Sequence, residues 1–147
     1  MNKFLEGIKS FKQEIYPDYR KTFEGLATQQ EPQALFITCA DSRIVPSLLL
    51  QADPGDLFIC RNAGNFVPPY DDNLGGVAAT VEYAVDVLGV RHVVVCGHSD
   101  CGAMKALLQP EKVSDTPAVA RWLRHGERAR RIAVEADFTN GEDRLRC

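Results

Sequence analysis

Three side chains that commonly bind metal ions follow two apolar stretches of the chain. Cys39 ends the apolar run 35–38, and His98 and Cys101 come directly after the run 93–96. Two thiolates and one imidazole suit Zn²⁺, and three protein ligands leave the fourth tetrahedral position open, as in catalytic zinc sites. The spacing leaves a second interpretation open, in which Cys39 is a buried thiol and His98 an ordinary loop residue.

A carboxylate and a guanidinium lie close in sequence to the first of these ligands. Asp41 is two residues after Cys39, and Arg43 is two residues further on. Beside a metal ion, Asp41 could orient a water molecule by accepting its hydrogen bond, and Arg43 could keep Asp41 ionised. Without the cysteines, the same pair would be interpreted as a surface ion pair that caps the following helix.

The elements that must position these residues alternate between strand and helix. Three short apolar runs predict strands, and apolar positions at helical spacing predict helices between and after them. The strands are 35–38, 57–60 and 93–96, and the helices are 45–51, 77–88, 103–108 and 117–136. Uninterrupted apolar strands indicate burial on both faces, and therefore an α/β fold with a mostly parallel sheet flanked by helices. The carboxyl ends of its strands share one edge, where Cys39, His98 and Cys101 could meet.

The first thirty residues predict a helical arm. An amphipathic helix is indicated by Phe4, Ile8, Phe11 and Ile15. Pro17 is expected to end this helix, because proline disrupts a helix interior. A second short helix is indicated by Tyr19, Phe23 and Leu26. The apolar face of the arm needs a partner, either this domain or a second subunit.

Length and composition predict one globular domain. The chain has 147 residues, of which 45% are hydrophobic and 25% charged, and its formal charge is −3. This charge excludes a globally basic nucleic-acid binder. The amino terminus resembles no signal peptide, and the apolar runs are too short to cross a bilayer, so we expect a cytoplasmic protein without membrane contact.

The remaining cysteines and the single tryptophan have structural interpretations. Five cysteines in a cytosolic setting argue against a disulfide framework. Cys60 and Cys96 lie inside strands and are interpreted as small core residues. Cys147 is expected to be a free thiol in a polar tail, and Trp122, at helical spacing, a core or interface residue.

Four motifs together resemble the β-class carbonic anhydrases. The motifs are Cys39-Ala40-Asp41-Ser42-Arg43, Arg61-Asn62-Ala63-Gly64-Asn65, Glu82-Tyr83-Ala84 and Gly97-His98-Ser99-Asp100-Cys101-Gly102. The similarity runs in order from the first helix to about Arg131. It implies one domain, with an N-terminal arm over 1–30, a zinc-binding core over 31–136 and a polar tail over 137–147. Against this family the chain is short at its carboxyl end.

The resemblance also implies an activity, a cofactor and site residues. It implies reversible hydration of CO2 to bicarbonate at one Zn²⁺ per subunit, bound by the two cysteines and His98, with Asp41 and Arg43 as the catalytic dyad. In a closed form known in the family, Asp41 itself becomes the fourth zinc ligand. Phe36 stands where regulated members carry tryptophan, which favours the open form here.

The substrate pocket and the assembly are implied by the same resemblance. Gln30, Phe58 and Tyr83 fall where the family places groups around CO2, and Gln30 would reach into the site of a neighbouring subunit. The N-terminal helix would pack on that neighbour, so we expect a homodimer or larger homo-oligomer. His92 and His125 are possible proton shuttles, although both are interpreted as ordinary exposed histidines.

Two other functions remain open at the level of sequence. One is a zinc-stabilised scaffold subunit that is inactive or active only with a partner. The other is a related zinc lyase that acts on carbon disulfide or carbonyl sulfide, because a narrow apolar pocket does not reveal its substrate.

Overall fold

A computed structural model of the chain describes residues 2–70 and 75–136, and these form a parallel sheet with helices around it. The strands are β1 (Ala34–Cys39), β2 (Leu57–Asn62) and β3 (His92–Cys96), in the order β2-β1-β3. Both neighbours pair with β1 in parallel, with Cys39 opposite Asn62 and Thr38 opposite Cys96. The predicted α/β fold is therefore confirmed.

Seven α-helices lie in the described residues. They are α1 (Asn2–Ser10), α2 (Tyr16–Leu26), α3 (Pro46–Leu50), α4 (Gly76–Glu82), α5 (Gly102–Leu108), α6 (Pro117–Leu123) and α7 (Glu127–Glu135). Two π-helical turns, Phe11–Ile15 and Tyr83–Val87, and two 3₁₀ turns, Pro110–Val113 and Arg124–Gly126, extend or join them. The described part of the chain has no helix of the length and apolarity needed to cross a bilayer.

The prediction that Pro17 ends the first helix is wrong. Helical structure continues from α1 through the π-helical turn Phe11–Ile15 into α2, and Pro17 lies in the first turn of α2. The N–H of Tyr16 donates to the carbonyl of Phe11 across this wider turn. Proline fits the first turn of a helix because the N–H that it lacks has no partner within the helix there. The two predicted arm helices therefore form one continuous helical segment.

The core forms mainly on β1. Leu35, Phe36 and Ile37 are buried, and so is Thr38, whose hydroxyl donates to the carbonyl of Cys96 on β3. The buried cluster around this strand consists of Leu35, Ile37, Cys60, Val77, Ala84 and Val90, with Phe58, Val81, Leu88 and Trp122 packed against it. The core assignments of Cys60 and Trp122 are confirmed, while Cys96 is half-buried.

Burial on both faces, predicted for every strand, is confirmed for β1 and wrong for β3. Val93, Val94 and Val95 are 49%, 41% and 52% exposed, so side chains on both faces of β3 meet solvent. The reason is position: β1 has a strand on each side, whereas β3 is an edge strand paired only with β1 in the described residues. Sequence alone identified the strands but not which of them stands in the centre.

The N-terminal arm is also exposed. Neither α1 nor α2 has a buried residue. Apolar side chains along the arm face solvent, namely Phe4, Leu5, Ile8, Phe11 and Ile15. Aromatic rings of the π-helical turn and α2 instead contact one another, as Tyr16 and Phe23 do with ring centres 5.8 Å apart. The predicted polar tail, 137–147, and with it Cys147, lies outside the described residues.

Candidate metal centre

The carboxyl edge of the sheet brings the three sequence-predicted ligands together. Cys39 is the last residue of β1, and β3 leads directly into the loop that carries His98 and Cys101. Cys101 then precedes the first residue of α5 in extended conformation. One ligand atom from each of the three residues lies within 4.8 Å of the others.

Two observations test whether this cluster fits a zinc ion. The sulfur atoms of Cys39 and Cys101 are 3.9 Å apart. Two thiolates at about 2.3 Å from a tetrahedral zinc ion would be about 3.8 Å apart. The buried Nε2 of His98 has no hydrogen-bond partner within the described residues. Burial of such an atom is costly unless a ligand satisfies it, so the donor set fits a metal ion.

The other nitrogen of His98 orients the imidazole ring. His98 Nδ1 is 2.9 Å from the carbonyl oxygen of Ser99. A carbonyl only accepts, so Nδ1 carries the proton and donates, and Nε2 presents its lone pair to the cluster. A backbone carbonyl in this role is a usual way to fix the tautomer of a metal-binding histidine.

Asp41 and Arg43 form the predicted pair beside this cluster. The Nε and Nη2 atoms of Arg43 donate to the two carboxylate oxygens of Asp41 at 3.0 and 2.8 Å, and the Arg43 backbone N–H donates at 2.9 Å. These hydrogen bonds hold the pKa of Asp41 far below its ordinary value and raise that of Arg43. Asp41 Oδ2 lies 3.9 Å from His98 Nε2, so the ionised carboxylate borders the ligand cluster.

Asp100, which was not predicted as a site residue, completes the surroundings of Arg43. Its carboxylate accepts from Arg43 Nη1 at 3.0 Å, and its backbone carbonyl accepts from Nη2 at 3.0 Å. Lys105 also donates to the Asp100 carboxylate. Hydrogen bonds from Lys105 and then Arg43 lower the pKa of Asp100. The signal in the sequence is only its position between His98 and Cys101.

Arg61 explains part of the motif Arg61-Asn62-Ala63-Gly64-Asn65. Its guanidinium donates to the backbone carbonyl of Cys39 from Nε at 3.0 Å and from Nη2 at 2.9 Å. Nη2 also donates to the carbonyl of Asp41 at 2.7 Å. Arg61 therefore fixes the backbone at the point where β1 ends and the dyad begins. The sequence motif alone does not indicate these contacts.

Gly64 supplies a hydrogen bond to a predicted ligand. Its N–H donates to the Cys39 sulfur, with nitrogen and sulfur 3.4 Å apart. Burial raises the pKa of Cys39, but hydrogen bonding at its sulfur, first from the Gly64 N–H, outweighs this effect, and the net pKa lies below the ordinary value. Burial keeps the pKa of Cys101 above its ordinary value. Gly64 has a φ of +82°, and a Cβ there would approach Met104 to 2.9 Å, so glycine is required.

The proposed pocket residues lie toward the opposite end of the sheet. Phe58 is opposite Leu35, four residues before the end of β2, which corresponds to about 13 Å along the strand. Tyr83 stacks on Phe58 with ring centres 5.9 Å apart. Gln30 is exposed, and the nearby Gln33 bonds to the carbonyl of Asp56 just before β2. The structure does not bring these residues to the metal ligands of their own chain.

The two further histidines are exposed, as expected. His92 begins β3 at the amino edge of the sheet, and His125 lies in the 3₁₀ turn after α6. The His125 ring contacts Trp122 edge to face with ring centres 5.1 Å apart.

Fold and site together define an α/β protein with a Cys-His-Cys cluster that could hold a metal ion, at the carboxyl edge of a parallel sheet. A family model described as carbonic anhydrase matches residues 34–146. A carbonic anhydrase of Pseudomonas aeruginosa is 55% identical over 145 residues, 99% of this chain and 66% of the relative. One of Synechococcus elongatus is 48% identical over 136 residues, 92% of this chain and 50% of the relative.

Solved structures agree with the sequence matches. The β-carbonic anhydrase CcaA superposes with a TM-score of 0.94 at 42% identity, covering 99% of this chain and 72% of that one. Tetrameric β-carbonic anhydrases of Sordaria macrospora give 0.83 at 32% identity, covering 99% and 74%. The chain belongs to the carbonic anhydrase family, in its β class. It spans between half and two thirds of the length of the two curated relatives.

Proposed function

We propose that the protein catalyses the reversible hydration of CO2 to bicarbonate and a proton, with one Zn²⁺ per subunit held by Cys39, His98 and Cys101. The observation that carries the proposal is the ligand cluster, in which a buried imidazole nitrogen lies beside two thiols at zinc-compatible separation and has no partner in the described part of the chain. Membership of the carbonic anhydrase family supports the choice of reaction.

The chain's own residues have defined tasks in this reaction. Bound zinc supplies Lewis acidity, which makes a nucleophile available from water near neutral pH. Asp41, kept ionised by Arg43, accepts a hydrogen bond from the reacting water and thereby orients it. Arg43 is in turn held by Asp100 on the ligand loop, so the carboxylate stays fixed relative to the cluster.

We infer that the site works in the open form, in which Asp41 does not ligate zinc. The supporting observation is that both carboxylate oxygens of Asp41 already accept hydrogen bonds from Arg43. Ligation by Asp41 would compete with these hydrogen bonds for the charge and orientation of the carboxylate. Buried Phe36, at the position where the resemblance gives regulated members a tryptophan, agrees with this inference.

The substrate pocket is proposed to form between two subunits. Phe58 lies four residues before the ligand end of β2, Tyr83 stacks on it, and Gln30 precedes the first residue of β1. A second copy could place them over the ligand cluster, with its exposed N-terminal arm lying across the neighbour. Such an arrangement makes a homodimer the smallest active unit, and tetramers exist among similar structures.

The test is to measure zinc content and CO2 hydration on the same purified sample. We expect one zinc per chain, a hydration rate far above buffer at mildly alkaline pH, and a dimer or larger species by light scattering. Bound zinc without turnover would contradict the proposed enzymatic activity and favour the function as a zinc-stabilised scaffold subunit. Turnover of carbon disulfide or carbonyl sulfide without hydration of CO2 would contradict the substrate.

A further inference from the structure

Trp122 contacts the same peptide group that contacts a metal ligand. Its indole Nε1 donates to the carbonyl oxygen of Ala63, with the two atoms 2.7 Å apart. The N–H on the other side of that peptide bond belongs to Gly64 and donates to the Cys39 sulfur at 3.4 Å. A continuous chain of two hydrogen bonds therefore links α6 to the sulfur through one planar unit.

We propose that Trp122 is a positioning residue for the Cys39 thiolate, acting through the peptide group between Ala63 and Gly64. The proposal rests on the proposed function in one respect, namely that Cys39 binds the metal ion. Trp122 does not touch the ligand cluster itself, and its indole N–H is the part of the side chain that matters here. This role extends the expectation that Trp122 is merely a core or interface residue.

Hydrogen bonds between Asn62 and Phe66 close the loop, but they do not involve the peptide group between Ala63 and Gly64. The Asn62 side chain bridges the loop, because its Oδ1 accepts from the Phe66 N–H and its Nδ2 donates to the Phe66 carbonyl, each at 2.9 Å. Gly64 and Asn65 both have positive φ, +82° and +48°. This clamp fixes the two ends of the loop, while the Ala63 carbonyl at its tip takes its hydrogen bond from Trp122.

Close packing holds the indole against this loop. The Trp122 and Phe66 rings meet edge to face with centres 6.2 Å apart. Gly126, in the 3₁₀ turn after α6, lies so close to Phe66 that a Cβ there would approach its ring to 2.7 Å. The absence of a side chain at Gly126 lets α6 approach the loop. The direction of the indole N–H is therefore set by the fold rather than by the hydrogen bond alone.

The two linked hydrogen bonds affect how strongly the Cys39 sulfur can donate electrons to a bound metal ion. A peptide whose carbonyl accepts a hydrogen bond is polarised and becomes a better donor through its N–H. A stronger N–H to sulfur bond holds the thiolate in place and reduces its electron donation to a bound metal ion. Loss of the indole donor should loosen the sulfur and make it donate more strongly, without changing any ligand.

Because the chain has a single tryptophan, the role of its indole N–H can be tested by replacing only that group. Biosynthetic replacement of tryptophan by β-(3-benzothienyl)alanine changes the indole N–H to sulfur and nearly preserves the shape. Cobalt(II) is the probe, since its thiolate charge-transfer absorption reports the donor strength of Cys39 and Cys101. We expect this band to move to longer wavelength, and zinc affinity, measured by chelator competition, to fall about three- to tenfold, near the lower end for outer hydrogen-bond partners.

Trp122→Phe serves as a second variant without the donor, and Val119→Ala serves as the control. The first also removes the donor and should shift the band in the same direction, whereas Val119, on the same helix, should leave band and affinity unchanged when shortened. An unchanged band with only a lower unfolding temperature in the two tryptophan replacements would overturn the proposal. Neither readout needs turnover, so a protein that binds cobalt but hydrates no CO2 would refute the proposed function and leave this test intact.

Discussion

The two ends of the sheet differ in how completely one chain builds them. At the carboxyl end, the predicted ligands and the Asp41–Arg43 pair are held within one chain by hydrogen bonds that Arg61 and Gly64 donate and that Asp100 accepts. At the amino end, no comparable network surrounds the Phe58–Tyr83 stack among residues 2–70 and 75–136, and Tyr83 is 46% exposed. A single chain thus brings the Cys39-His98-Cys101 cluster together, while the pocket wall is proposed to need a second chain.

The difference follows from what each end must do. Metal ligands need fixed directions, and directional contacts come from backbone and side-chain hydrogen bonds close to the ligand. A pocket for a small apolar gas needs surface and exclusion of water, which an interface between subunits can provide. Substitutions at the two ends should therefore have different effects. At the carboxyl end, loss of a ligand should abolish metal binding, and loss of the dyad carboxylate should lower turnover with the metal retained. At the amino end, the effect on turnover should depend on which chains form the dimer.

The largest effect is expected for Cys101→Ser. A neutral hydroxyl replaces a thiolate ligand, so we expect zinc affinity to fall by at least about 100-fold, beyond the loss seen for outer-shell changes. Hydration should fall to the buffer rate because the nucleophile is no longer generated. Zinc content after dialysis and stopped-flow hydration measure both. Full zinc content in this variant would show that Cys101 is not a ligand.

Asp41→Asn should separate chemistry from metal binding. The amide keeps the shape of Asp41 but cannot act as the ionised acceptor, so we expect hydration to fall by about 100-fold or more, a usual cost for a lost acid–base group. Zinc content should match the parent protein. A rate equal to that of the parent would remove Asp41 from the mechanism, and a loss of zinc would favour the closed form in which Asp41 is a ligand.

The clustering of Cys39, His98 and Cys101 was predictable from the sequence, because each lies within a few residues of a strand end. The contacts that position them were not predictable in the same way. Arg61 acts on backbone carbonyls, and Trp122 acts on a peptide group 59 residues away in sequence. A backbone partner leaves no residue type in the sequence to recognise. The exposure of β3 was missed for a related reason, since strand order is a property of the whole sheet.

A mixed dimer tests whether the amino end serves the partner. Tyr83→Ala alone should lower kcat/KM about three- to tenfold with zinc content unchanged, from loss of an aromatic pair. We then co-express Cys101→Ser and Tyr83→Ala chains with different tags and purify the doubly tagged species. In the proposed arrangement, one of its two sites has both an intact metal centre and an intact Tyr83, so its rate should be about half that of the parent dimer.

The outcome of this experiment has a clear alternative. If Tyr83 acts within its own chain, each zinc-bearing site in the mixed dimer lacks its tyrosine. The rate would then be half that of the Tyr83→Ala protein, well below half of the parent. Failure to recover any doubly tagged species would contradict the dimer itself, while leaving the Cys101 and Asp41 predictions untouched.

The smallest effect is expected in α7, at an ion pair that contacts neither the predicted ligands nor the proposed pocket residues. Glu127 accepts from Arg130 through two hydrogen bonds of 2.8 Å, and these lower its pKa from 4.5 to about 2. A carboxylate with a depressed pKa stabilises the fold above its ordinary pKa, and this contribution is lost as the pH falls through about 2.

Glu127→Gln should slightly lower the unfolding temperature at neutral pH without changing zinc content or hydration. Since both side chains are partly exposed and solvent screens the pair, the difference should be small, and it should disappear between pH 4.5 and 2. Arg130→Gln breaks the same pair and should show the same pH dependence. A constant difference at all pH values would mean that the ion pair does not cause it.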